Sequence, residues 1–187
     1  MIFFSIGLPS RFSEWCDAVA AKLVEQALGP IEAISADTLE ELAFCAIRSR
    51  SPYFILTSRH IGRLQKALGQ ANGRLVVALD DPRLALEDAV VQHGIDFTEA
   101  IRLVASSCGS MVGCAAIPGA LVLNAPEDAA DPVATAQAIA RHLDLAIDDD
   151  AIANIVAAVA ELGISPQRAA DDSWWNELLE VQRALAA

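Results

Sequence analysis

Short, unbroken apolar runs alternate with longer amphipathic stretches along most of the chain. The opening run, Ile2 to Pro9, is continuously apolar and β-rich, the pattern of a strand buried on both faces. Ser13 then predicts an N-cap for a helix through Leu28, with Trp15, Val19, Leu23 and Leu28 on roughly one face and Gly29-Pro30 as its stop. Residues 31–35 read as a short strand, and Asp37 or Thr38 caps a helix over 39–49. Residues 52–58 read as a strand followed by a helix that ends near Gly69. Arg74 to Asp80 is the next strand, and a helix starting after Pro82 runs to Gly94.

Phe97 to Ser106 reads as helical, whereas the glycine-bearing residues from Cys108 to Gly119 read as irregular. Ala120 to Asn124 is the last clear strand. Asp131-Pro132 opens a helix, Asp148 to Asp150 open another that ends at Gly163, and a final helix follows Trp174-Trp175. Strands alternating with helices, each strand a continuous apolar run, predict a three-layer α/β domain. Its mostly parallel sheet is flanked by helices, its C-terminal portion is helical, and residues 1–187 form a single domain.

Composition fits that expectation. With 54% hydrophobic and 20% charged residues in 187, the chain has ample material for a core. No apolar run reaches the ~18 residues that a membrane span needs. The apolar start lacks a basic region and meets Pro9, Ser10 and Arg11 early, so it reads as a strand and not a signal peptide, and the cytoplasm is the expected location. The net charge of −12 argues against broad contact with nucleic acid or anionic lipid.

The four cysteines show no CxxC spacing, and with no secretory signal read at the start, reduced thiols are expected. Cys108 and Cys114 flank the segment SCGSMVGC and read either as a redox pair or as ordinary core and loop thiols, the second being preferred. His60, His93 and His142 share no ligand spacing, which predicts no metal site.

Four segments, in order, resemble the sulfotransferases. SIGLPSRFSEW stands where that family places a glycine-bearing loop that cradles the phosphosulfate of its donor, PAPS. ALDDPRLALED is similar to the strand-ending basic motif with a serine several residues on. LVLNAPEDAADPVATAQAIARHLDLAIDDDAI resembles the family's strand, "YEDL", "DP" and helix stretch, and QRAADDSWWNEL its late basic loop and tryptophan. The resemblance implies donor contacts from Ser10, Arg11 and Ser13, with Arg59 and Arg168 as further anion ligands. It implies His60, after the strand that ends in TSRH, as general base on an acceptor hydroxyl.

The departures bear on activity. A phosphate loop works because backbone N–H groups and a helix N-terminus point at the anion, with glycine allowing close approach. Here Ser10-Arg11-Phe12-Ser13 contains no glycine, and Glu14 follows at once. Asp80 stands where the family has an arginine on the nucleotide's ribose phosphate, and Asp88 where it has the helping serine. One like-charge pair at ~4 Å costs about 4 kcal/mol at an effective dielectric of about 20, roughly a thousandfold in affinity. The expected function is therefore a degenerate, non-catalytic sulfotransferase-like domain that needs no cofactor and acts through a protein partner or a second copy of itself. The alternative is a divergent sulfotransferase moving a sulfuryl group from PAPS to a hydroxyl. A kinase is disfavoured because no G-x-x-x-x-G-K-[ST] run occurs. Trp174-Trp175 read as a seal on the core or, if exposed, as a partner anchor.

Overall fold

A computed structural model describes residues 2–35, 53–57 and 73–166. Its elements are β1 (Ile2–Gly7), α1 (Arg11–Leu28), β2 (Glu32–Ser35), β3 (Tyr53–Thr57), β4 (Arg74–Leu79), α2 (Pro82–Val91), α3 (Phe97–Ala115), β5 (Leu121–Asn124), α4 (Ala125–Asp128), α5 (Pro132–His142) and α6 (Asp149–Glu161). The helices expected over 39–49, after residue 58 and in the tail lie outside the described residues.

The five strands form one sheet in the order β2-β3-β1-β4-β5, and every pairing is parallel. Register aligns the carboxyl ends: Ile6 pairs with Thr57, Gly7 with Ala78, and Leu79 with Asn124. Alternate residues of a strand face opposite sides of a sheet, and here both sides are buried. Phe3, Val76, Ala78 and Leu123 pack on α1, α5 and α6, whereas Phe4, Ile6, Leu75 and Val77 pack under α2 and α3. The predicted three layers, parallel sheet and helical C-terminal portion are therefore all present.

α1 buries Trp15, Val19 and Leu23 as its periodicity requires, but Leu28 at its end is exposed. Acidic caps start α2, α3, α5 and α6: Asp81, Asp96, Asp131 and Asp148 each accept a backbone N–H from the first turn. The His142 ring ties α5 to the sheet, its Nε2 lying 2.9 Å from the Leu75 carbonyl.

α3 corrects one expectation. Cys108 to Ala115 are not irregular: the helix continues through Gly109 and Gly113, and only residues 116–119 form the irregular segment expected there. Val104, Ser107, Met111 and Cys114 recur at helical spacing and are buried, while Gly109 and Gly113 fall on the exposed side. Packing of that buried stripe outweighs two glycines at about 1 kcal/mol each. The same geometry removes the redox reading of Cys108 and Cys114. Six residues along one helix separate two Cα atoms by roughly 9 Å of rise, beyond disulfide reach, and both thiols are free.

Candidate functional site

The chain leaves β1 and β4 in opposite directions. After β1, α1 carries it to β2, beyond β3; after β4, α2 and α3 carry it over the opposite face to β5. The gap between β1 and β4 is thus the switch point, where open α/β sheets take ligands beyond the strand ends. A cavity of about 470 Å³ opens there. Phe12, Leu84, Ala125, Pro126 and Ala129 supply apolar walls, and Arg11, Asp80, Asp81 and Asp88 the charges. A larger depression of about 1270 Å³ runs along α3. Among the described residues it is lined by that helix and its lead-in turn and by no strand-end residue, so the smaller cavity is the candidate site.

A polar seam sets α1 on β1. One two-residue step back along a strand, about 6.6 Å, matches a four-residue advance along a helix, about 6 Å. Gly7 accordingly meets Ser13, and Ser5 donates a hydrogen bond to Asp17. A methyl group at Gly7 would stand 2.2 Å from Ser13 Oγ, so only glycine admits the helix at this distance.

The cap of α1 is Ser10, not Ser13 as expected. Ser10 is extended, accepts the Ser13 N–H at 3.3 Å, and its carbonyl accepts the Glu14 N–H at 3.0 Å. The helix starts one turn early because Phe12 and Trp15 must both reach the core, where their rings stack with centroids 6.3 Å apart.

The start of this helix is occupied by the chain itself. The Arg11 backbone N–H donates to Asp88 Oδ2 at 3.0 Å, and Arg11 Nε lies 3.7 Å from Asp88 Oδ1. Gln92 Nε2 donates to the same Oδ1 at 2.8 Å, and the Asp88 side chain is only 4% exposed. Asp80 takes the neighbouring hydroxyl: its carboxyl is hydrogen-bonded to Ser10 and accepts the Asp81 N–H at 2.7 Å. Burial pushes the Asp80 pKa up against those two bonds, and the charges of Asp88 and Asp81 add to the rise.

Arg83 is turned onto Asp81, its Nε 3.0 Å from each carboxylate oxygen, and holds that carboxyl below its usual range. His93 at the end of α2 pairs with Glu14 at 3.0 Å, a second contact between α1 and α2.

Of the residues expected to bind the donor, Arg11 lines the cavity, whereas Ser10 and Ser13 are buried in the cap of α1, and all three are already bonded within the protein. Arg59, His60, Arg168, Trp174 and Trp175 lie outside the described residues. Among the described residues no group of His, Cys, Asp or Glu is placed to hold a metal ion, and no helix is long and apolar enough to cross a membrane.

Asp17 was not singled out from sequence. Its residue is only partly covered, but its carboxyl is deeply enclosed. Burial, with Glu14 adding, pushes it up to about 7 against the Ser5 hydrogen bond. The available signal was the row Ser10, Ser13, Asp17 at helical spacing in an otherwise apolar helix face.

Neither family models nor curated proteins give a match to this chain. Solved structures do, and the class they define is a sulfotransferase-like α/β fold. Mouse sulfotransferase SULT7A1, solved complexed with PAP, aligns with a TM-score of 0.59 at 13% identity over 84% of this chain. The match covers 64% of that protein, so the present chain spans less than two thirds of its length.

Proposed function

We propose that this is a sulfotransferase-like domain that does not transfer sulfuryl groups and acts through contact with a protein partner or a second copy of itself. One observation carries the reading: a switch-point cavity lined by three carboxylates, whose two nearby guanidiniums are each engaged by one of them. An anionic nucleotide entering it would have to displace a carboxylate to reach either guanidinium, and one close like-charge pair costs on the order of 4 kcal/mol at an effective dielectric near 20. The −12 net charge works against capture from a distance as well. Calorimetry of the full chain with PAPS, and separately with ATP, is expected to give no binding heat. Micromolar binding of either would overturn the reading.

A rival reading has one observation in its favour, the convergence of Ser10, Arg11 and Ser13 on a fold whose mouse relative was solved with PAP. On that reading the chain is a divergent transferase using PAPS, with Arg59 and Arg168 on the donor and His60 as base. Sulfuryl transfer that disappears in His60→Ala would establish it in place of the first.

A further inference from the structure

We infer that the switch-point cavity takes a primary alkylammonium ligand, with its charge on Asp80 and its apolar body against Leu84, Pro126 and Ala130. The inference rests on the reading above, that this cavity does not take an anionic nucleotide. A charge count at the cavity points to it. Of the three carboxylates, Asp88 has the Arg11 guanidinium at 3.7 Å, and Asp81 holds Arg83 with Nε 3.0 Å from each oxygen. Among the described residues no cation pairs with Asp80: its hydrogen-bond partners are the Ser10 hydroxyl and the Asp81 N–H, both neutral. Those bonds fix its orientation without cancelling its charge, and a carboxylate has further lone pairs to offer.

A partly buried carboxylate without a counter-charge is costly. Burial, with Asp88 and Asp81 adding, pushes the Asp80 pKa up against its two hydrogen bonds, and a cation seated on it opposes that rise. Two observations narrow the cation. Among the described residues no group of His, Cys, Asp or Glu is placed to hold a metal ion. A bare ion is therefore poorly held, and the ligand has to bring contacts of its own. The walls offer a place for them: Phe12, Leu84, Ala125, Pro126 and Ala129 are apolar. The volume of about 470 Å³ lies within the roughly 300–1,000 Å³ of small-molecule sites. A primary ammonium on an apolar chain or ring meets both demands, its N–H groups donating to Asp80 while its hydrocarbon leaves water. A quaternary ammonium has no donor for that bond.

The test is calorimetry of the full chain near pH 8 with three probes of one shape: phenylbutylamine, phenylbutanol and phenylbutyrate. The amine is expected to bind and the acid to give no heat. The alcohol should bind about 10- to 100-fold more weakly than the amine, the effect of losing one charge-assisted hydrogen bond. Asp80→Asn should weaken the amine by the same factor and leave the alcohol unchanged. Asparagine keeps the shape and an acceptor for the Asp81 N–H, so the fold is retained. Glu161→Gln removes an equal charge from the exposed end of α6 and should alter neither.

Equal binding of amine and alcohol overturns the inference. So does equal loss in the two variants, which would trace the attraction to the net charge of −12. Amide shifts caused by the amine should centre on residues 80–84 and 125–130, and shifts centred elsewhere overturn it as well. No amine heat from folded, unmodified protein overturns the inference and leaves the non-catalytic reading standing. PAPS binding with the amine silent overturns both.

Discussion

Asp17→Asn is expected to stabilise the folded chain by about 4 kcal/mol near pH 8, and to change little below about pH 3. The Asp17 carboxyl rises from 3.8 to about 7 on folding, chiefly through burial. Between about pH 4 and 7 the unfolded chain gives up a proton that the folded chain keeps, so stability falls as pH rises through that window. Roughly three pKa units at about 1.4 kcal/mol each give the magnitude. Asparagine has the shape of the neutral acid and still accepts from the Ser5 hydroxyl. Denaturant unfolding of both proteins across this range should give curves that meet at low pH and diverge above it. Parallel curves would mean that Asp17 is ionised in the folded protein.

Gly7→Ala is expected to cost about 3 kcal/mol or more, at the upper end of what overpacking does. The new methyl would stand 2.2 Å from Ser13 Oγ, 2.6 Å from Ser13 Cβ and 3.4 Å from Ala78 Cβ. Ser13 cannot swing aside, because its N–H is held by the Ser10 cap and its Cβ is fixed to the first turn of α1. Relief requires α1 to lift from β1, which would uncover Phe12 and Trp15. The remedy follows from the same distances. Ser13→Ala should rescue little, since the Cβ contact remains, while Ser13→Gly should restore most of the lost stability in thermal melts. Equal rescue by both would refute the close approach.

Much of this architecture can be read from apolar runs alone. β4 is flanked by turn signals and buried on both faces, so pattern and structure agree to within a residue. β1 ends at Gly7, before Leu8 and Pro9, because the main chain turns there and the Ser10 N–H donates to the Leu8 carbonyl. Where local signals mislead, packing explains it. Glycine content pointed to a loop after Cys108, but Met111 and Cys114 continue a buried helical stripe that two exposed glycines do not break. Ser13 ahead of an amphipathic stretch points to a cap there, but the burial of Phe12 moves the cap back to Ser10.

The site was legible to a lesser degree. Ser10 and Arg11 are visible as positions matched to the sulfotransferase loop, and Asp80 and Asp88 as departures from that family's pattern. That Asp88 bonds the Arg11 main chain is not, because the contact joins residues far apart in sequence through the order of the sheet. Asp17 is hidden for a related reason. Its neighbour Ser5 sits on another element, and nothing in a one-dimensional pattern shows that a strand and a helix run back past each other in step.

The occupancy of the α1 start is best decided by a crystal structure of the unmodified full chain grown with excess PAP. A helix start filled by the chain itself predicts the Asp88 carboxylate within hydrogen-bonding distance of the Arg11 N–H and no nucleotide density beside it. A phosphate group seated on that N–H, with Asp88 displaced, would contradict it.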